Sequence, residues 1–379
     1  MLIKRTIQQF IEKNLFDGKI IVIYGARQVG KTTLLKVLQK QYSDKKSLFI
    51  NCDEEDSRNN LYNSTSTHLQ NLFDGYDIVF IDAAQRVKNI GLTLKIAIDA
   101  MPEKQFIVTG SSSFDLANEV NEPLTGRKYE FYLHPFSVNE ISHDLSPFEQ
   151  NRLLSTWLTF GLYPDVINKP NKAEFVLNNL IQGTLYKDVL EHQNIKRSEL
   201  LFKLLQALAF QIGQEVSYNE LARLLKTNKA TIERYVHLLE QSFIIYRLKP
   251  FSRNLRNELK KLRKIYFYDV GVRNALINAY GPLELRNDIG ALWENFIISE
   301  RIKHNLNHTR HINQYFWRTR KQQEIDYLEE KNQKLSAFEF KWNPKKAKKQ
   351  APKPFREAYP DTPFKVITPE NYQEFIGLE

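Results

Sequence analysis

The chain has 379 residues, with 54 Lys and Arg against 44 Asp and Glu (net charge +10), 42% hydrophobic residues and one cysteine. That length predicts two or three domains, and 24 Phe with 18 Tyr are ample for their cores. The single Cys52 excludes an internal disulfide and argues against zinc clusters, no apolar run approaches the ~20 residues of a membrane span, and the positive balance permits a polyanionic partner without proving one.

The opening stretch, MLIKRTIQQFIEKNLF, spaces Ile3, Ile7, Phe10, Ile11 and Phe16 as one face of an amphipathic helix. It has no signal-peptide core, so the expected location is cytoplasmic, with no membrane partner. Ile20–Tyr24 then reads as a strand running into Gly25-Ala-Arg-Gln-Val-Gly30-Lys31-Thr32-Thr33, and Leu34, Leu35 and Leu38 follow at helical spacing. Strand, glycine-rich loop and helix in that order form the context of a phosphate-binding loop. The expected ligand is ATP with Mg²⁺. Gly25, Gln28, Val29, Gly30, Lys31, Thr32 and Thr33 would surround the phosphates, the helix start would add a favourable dipole, and the Thr32 hydroxyl would reach the metal. Further on, the apolar strand Asp77–Asp82 ends on a carboxylate suited to the Mg²⁺ shell, and the strand from Gln105 ends on small hydroxyls at Ser111 and Ser112. Strands alternating with helices predict an α/β fold, a P-loop NTPase parallel sheet covered on both faces.

GARQVGKTTLL, FIDAAQRV, VTGSSSF and EPLTGRKYEFYLHPFSVNEI occur in the order seen in a family of bacterial and archaeal AAA+-like ATPases whose C-terminal domain has an uncertain role. The chain resembles that family over nearly its whole length. The resemblance implies that Ser111 or Ser112 is the sensor near the γ-phosphate. It also implies that Arg127, in Leu-Thr-Gly-Arg, is an arginine finger. A guanidinium offset from the loop is useful only if another chain brings it to a nucleotide, so a ring or other homo-oligomer is expected; a solvated surface arginine is the alternative. One departure matters. The family pattern is Asp-Glu-Ala-Gln, and here it is Asp82-Ala83-Ala84-Gln85. That glutamate orients and deprotonates the attacking water, and losing a general base typically costs about 10²–10⁴ in rate. Binding is therefore expected to survive and hydrolysis to be impaired. Either the chain is a natural ATP-binding switch or Ala83 is a deliberate substitution that traps the ATP state; the intact remainder of the site favours the second.

Residues 147–192 read as helices broken at Gly161-Leu-Tyr-Pro164, and the resemblance places a helical lid there, with GLYPDVI and LYKDVL as its landmarks. From residue 200, a helix, a capping box at Ser217 and Glu220, a second helix, a turn at Thr227-Asn228, a third helix and the strand FIIYRLKPF outline a winged helix. Lys229, Thr231, Arg234 and Tyr235 are expected on the exposed face of the third helix. DNA contact through that helix and a packing module remain alternatives, because Glu233 and Glu240 dilute its charge. SRNLRNELKKLRK, with six basic residues and one acid, is a better candidate for backbone contact.

In the last third, a strand followed by a helix at KIYFYDVGVRNALI precedes the long helix GALWENFIISERIK, and a hairpin carries Asp326 and then Leu335–Trp342. Alternation places Glu339 and Lys341 on one face of that strand and Phe338 and Phe340 on the other. An aspartate on one strand and Glu-x-Lys on the next resembles the PD-(D/E)xK nuclease core, and Glu294 sits where that superfamily often supplies another carboxylate. Asp326 and Glu339 would hold Mg²⁺ (or Mn²⁺), with Lys341 positioning the attacking water. A salt-bridged strand face in an inactive nuclease-like fold is the alternative. Lys345, Lys346, Lys348, Lys349 and Lys353 form a basic run suited to phosphates, or a plain solvated loop.

The expected divisions are an ATPase core over 1–135, a helical lid over 136–198, a winged helix over 199–260 and an α/β PD-(D/E)xK-like domain over 261–379. The expected function is ATP binding coupled to a metal-dependent nuclease-like site on nucleic acid, DNA rather than RNA. An ATP-gated partner-binding protein with an inactive nuclease fold is the runner-up.

Overall fold

The computed structural model describes residues 2–110, 123–183, 198–252, 263–347 and 350–378. The chain divides into two compact units: residues 1–134 with 184–195 and 241–243, and residues 135–183, 196–240 and 244–379.

In the first unit, β1 (Ile20–Tyr24), β2 (Ser47–Asn51), β3 (Ile78–Asp82), β4 (Gln105–Gly110) and β5 (Lys128–Tyr132) form one sheet in the order β2-β3-β4-β1-β5. All pairings are parallel, with Ile21 opposite Ile107, Ile50 opposite Ile81 and Ile20 opposite Lys128. Every residue of β1, β3 and β4 is buried, which is why these strands are near-continuous apolar runs rather than alternating ones. The expected parallel α/β sheet is present. Because the strands point the same way, the C-terminal ends of β1, β3 and β4 gather at one edge of the sheet, where open α/β sheets bind ligands.

The expected first helix is much shorter than the apolar spacing implied. It covers only Gln8–Glu12. Ile7 and Ile11 are buried, whereas Phe16 is exposed and has φ 60°, a left-handed backbone that ends any helix there.

In the second unit, helices Pro147–Phe160, Pro164–Asn168 and Ala173–Gly183 follow one another, the first opened by a capping box at Ser146 and Glu149 and broken at Gly161. LYKDVL lies outside the described residues. Next come helix Ser198–Phe210, β6 (Glu215–Val216), helices Tyr218–Leu224 and Lys229–Gln241, β7 (Ile245–Pro250) and β8 (Arg263–Phe267). β7 pairs antiparallel with β8 and, on its other edge, parallel with β9 (Asn313–Arg318). The expected strand FIIYRLKPF thus pairs on both edges. It is part of a seven-stranded sheet in the order β12-β11-β10-β9-β7-β8-β6, completed by β10 (Glu324–Lys331), β11 (Lys334–Phe340) and β12 (Phe364–Ile367). The expected division at 260/261 falls between two strands that pair with each other. Most of SRNLRNELKKLRK, residues 253–262, lies outside the described residues.

One expectation on the Lys229–Gln241 helix is corrected. Lys229 and Arg234 are exposed, but Tyr235 is only 3% exposed, because it joins Ile232, Val236 and Leu239 in the apolar stripe. Glu240 is not a stray surface acid either: its carboxylate accepts from the backbone N–H and the guanidinium of Arg247 on β7.

Candidate functional sites

At the sheet edge, the two loop glycines serve different purposes. Gly30 has φ +97° with open space around it, so its need is conformational. A Cβ on Gly25 would lie 2.2 Å from the Leu133 carbonyl oxygen, so its need is close approach between two backbones. The Lys31 ammonium donates to the Gly25 and Ala26 carbonyls at 2.8 and 2.7 Å, folded over the loop from which it can reach a phosphate. Thr32, at the start of helix Lys31–Gln41, donates its hydroxyl to Asp82 Oδ2 at 2.6 Å. Val29 is fully buried and Gln28 exposed with φ 61°, so the backbone is what these two offer to the loop; Thr33 is exposed.

Sequence reasoning missed two contributors here. Thr109, at the buried end of β4, donates to Asp82 Oδ1 at 2.5 Å and accepts from the Ala83 N–H at 3.2 Å. It holds the carboxylate from the side opposite Thr32. The signal was in VTGSSS, two residues before the first of the serines chosen. Ser111 and Ser112 lie outside the described residues. Arg5, only 7% exposed, donates to the Val29 carbonyl at 3.2 Å and to the His134 carbonyl at 2.5 Å. Nothing in its sequence context marks it.

Ala83 occupies the left-handed region, with φ 55° and ψ 40°. Such strain at a non-glycine residue collects at functional sites. The donor set fits Mg²⁺ with ATP: an anchored carboxylate, Asp82, beside a hydroxyl, Thr32, at the start of the helix that follows the loop. Arg127 is elsewhere. It immediately precedes β5, whose first residue pairs with Ile20, the first residue of β1. The loop lies beyond the other end of β1, about 13 Å away at ~3.3 Å per residue. Arg127 is half exposed and paired with Asp99 at 2.6 Å.

The second cluster is in the other unit. The antiparallel register that pairs Tyr327 with Phe338 sets Asp326 beside Glu339. Lys341 Nζ lies 2.9 Å from Glu339 and 3.8 Å from Asp326, and Asp326 Oδ2 accepts from the Phe340 N–H at 2.8 Å. Phe338 and Phe340 pack with Tyr327 and Phe375, as alternation requires. Glu294, on helix Ile289–Asn307, accepts from Lys264 at 3.0 Å and from the Tyr266 hydroxyl at 2.5 Å. Lys264 is 1% exposed and also pairs with Glu324, which shares Arg318 with Glu215.

Burial alone would lower the Lys264 pKa, but Glu294, Asp326 and Glu324 outweigh it and hold the ammonium above its usual range. Burial pushes the Glu294 carboxyl up, Lys264 opposes this and Asp326 reinforces it. Four carboxylates thus face two lysines and a shared arginine, which leaves an excess of negative charge. Among the described residues, no group of three or more His, Cys, Asp and Glu is arranged to hold a metal ion. Asp326 and Glu339 still suit Mg²⁺, which is usually bound by one or two carboxylates with water and substrate phosphate. In the basic run, Lys345 and Lys346 are exposed and Lys353 faces Glu357; Lys348 and Lys349 lie outside the described residues.

Residues 17–142 match an AAA domain, residues 151–282 a domain of unknown function (DUF8612), and residues 289–376 a domain of unknown function (DUF4143). An uncharacterized protein of Mycobacterium tuberculosis is 26% identical over 337 residues, 87% of this chain and 72% of the relative. Uncharacterized proteins of Haemophilus influenzae (26% over 301 residues, 73% of each) and Methanocaldococcus jannaschii (26% over 349 residues, 86% and 75%) are also similar. Among solved structures, AMPPCP-bound DnaA from Aquifex aeolicus aligns with 61% of this chain and 86% of its own at 12% identity and a TM-score of 0.30. Pif1 helicase from Candida albicans aligns over 48% of each chain at 12% identity and a TM-score of 0.27. No helix among the described residues is long and apolar enough to cross a membrane. Loop, sheet and match agree: residues 17–142 carry a P-loop on a parallel sheet and are similar to an AAA domain, and residues 289–376 are similar to DUF4143.

Proposed function

We propose that the chain binds MgATP at the P-loop, hydrolyses it poorly because Ala83 stands where a general base is needed, and uses nucleotide occupancy to control a metal-dependent nuclease-like site acting on nucleic acid. Lys31 would meet the β/γ-phosphates, while Thr32 and Asp82 would hold the Mg²⁺ shell with Thr109 fixing the carboxylate. Arg127, distant from its own loop, would serve a neighbouring subunit in a homo-oligomer.

The observation that carries the nuclease reading is the convergence of Asp326, Glu339 and Lys341 at adjacent strands, in an environment with excess negative charge. A divalent ion bound there by Asp326 and Glu339 would polarise a phosphodiester. Lys341 would position water and offset the charge that develops on the phosphate, and Glu294 would add to the negative field. A second reading, partner recognition without cleavage, draws on Lys264 and Lys341. These lysines already pair with all four carboxylates, as a purely structural cluster would have them do.

The test is cleavage of plasmid DNA, single-stranded DNA and RNA with Mg²⁺ or Mn²⁺, with and without ATP, beside an Asp326→Ala protein. Cleavage lost in Asp326→Ala, and altered by ATP, is the expected result. No cleavage of any substrate under any condition would leave the partner-recognition reading in its place.

A further inference from the structure

The stretch that leaves β5 is anchored on both sides of the division between the two units. Before it, the Leu133 N–H donates to the Tyr24 carbonyl at 2.7 Å, the Leu133 carbonyl lies against Gly25, and Arg5 bridges the Val29 and His134 carbonyls. Two residues after His134, the Phe136 carbonyl accepts from Lys303 at 2.8 Å and its N–H donates to the Leu162 carbonyl at 2.9 Å. The Val138 N–H donates to Glu300 Oε2 at 2.7 Å, and a capping box at Ser137 and Glu140 starts a short helix there. Glu300 and Lys303 are buried and paired with each other. Both belong to helix Ile289–Asn307, the helix that carries Glu294.

We infer that Arg5 is a positioning residue that ties the conformation of the phosphate loop to residues 133–138, and through them to the helix that carries Glu294. A linker free to swivel would lose any signal. Here His134 and Phe136 are each hydrogen-bonded within their own unit, with only Pro135 between them. The loop also has two bonding arrangements available. In one, Lys31 donates to the Gly25 and Ala26 carbonyls. Drawn to a phosphate, it releases both, and the segment between Gly25 and Gly30 must find a new balance. Among the groups that hold it from outside are the Leu133 carbonyl, against Gly25, and Arg5, on Val29. Arg5 suits this task because one planar fork can hold two carbonyls in fixed relation, which a lysine cannot.

The inference rests on MgATP binding at the P-loop, as proposed above. The test is hydrogen exchange on the full chain with and without MgATP, read at amides 136–141 and 296–304, with binding measured in parallel. The wild type should change protection there by roughly 5-fold or more, the lower end of a typical coupling between sites. Arg5→Lys, which keeps charge and burial but not the fork, should bind MgATP and lose most of that distant change. Lys303→Met, cut from the other side, should lose the change at 136–141 while its P-loop amides still respond to nucleotide. A fold lesion in one variant would not be shared by the other, since the two residues belong to different units. Failure of the wild type to bind MgATP would refute the P-loop reading itself. Binding without a change at 136–141, or a change that persists in Arg5→Lys, would overturn the inference alone.

Discussion

Replacing Gly25 with alanine isolates the contact that holds the phosphate loop to the end of β5. The new Cβ would lie 2.2 Å from the Leu133 oxygen, 3.1 Å from its carbon and 3.3 Å from Val29 Cγ2. Relief to ordinary contact needs a shift of roughly 1 Å, and the atom in the way is backbone that no rotamer change can move. Leu133 also donates to the Tyr24 carbonyl, so the shift must open the end of the β1–β5 ladder. Overpacking of this kind costs about 1–3 kcal/mol, and a backbone obstacle puts Gly25→Ala near the upper end. Gly30→Ala is the internal control. It meets no atom within 4 Å and suffers only from its φ of +97°, about 1–2 kcal/mol for an L-residue in the left-handed region. Urea denaturation of the two variants, followed by a probe in the first unit, should rank Gly25→Ala as the more damaged by about 1 kcal/mol or more. Equal loss, or the reverse order, would refute the close-approach account of Gly25.

Four other outcomes follow from the same geometry. Ala83→Glu should raise ATP turnover by about 10²–10⁴ in a steady-state phosphate-release assay; an unchanged rate would contradict the general-base reading of that position. Thr109→Val leaves an Asp82 oxygen and the Ala83 N–H without their partner, and should cost about 1–3 kcal/mol in denaturation and weaken Mg²⁺-dependent nucleotide binding. Lys264→Met leaves the buried Glu294 without its cation, whereas Glu324 keeps Arg318, so a loss of about 3–5 kcal/mol is expected, and adding Glu294→Gln should recover part of it. His304 is pushed down to about 4 by burial first, then by His308, Arg301 and Arg310, and its Nε2 accepts from Arg310, a bond that only the neutral ring can make. Its folded pKa lies below the unfolded value, so stability is full above about 6.5 and falls as pH drops toward 4, by up to about 3 kcal/mol. His304→Gln should flatten that acid limb of the stability–pH curve.

The parts of this molecule that were legible in sequence are those set by local pattern. The phosphate loop announced itself because strand, glycines, lysine and helix are contiguous, and β3 announced Asp82 because a buried parallel strand is a run of apolar residues. β11 was legible through alternation, which placed Glu339 and Lys341 together. The misses are long-range or competitive. The first helix looked long because apolar spacing alone was counted, whereas a left-handed turn at Phe16 lies beyond its end. Tyr235 was placed on the exposed face with Lys229, Thr231 and Arg234, but the stripe of Ile232, Val236 and Leu239 claims its ring. FIIYRLKPF was legible as a strand, but no local signal tells that β7 also pairs with β9, more than sixty residues later. Arg5 and Lys264 carry no motif. Their roles exist only after the chain brings distant carbonyls or carboxylates to them.

The most direct test of the account is titration of the full chain with ATP and Mg²⁺ by calorimetry, beside Lys31→Ala and Asp82→Asn proteins. The wild type should show Mg²⁺-dependent binding with slow turnover. Lys31→Ala should lose most of the affinity and Asp82→Asn the Mg²⁺ dependence. Tight binding that is indifferent to both substitutions, or no binding at all by the folded wild type, would contradict the account.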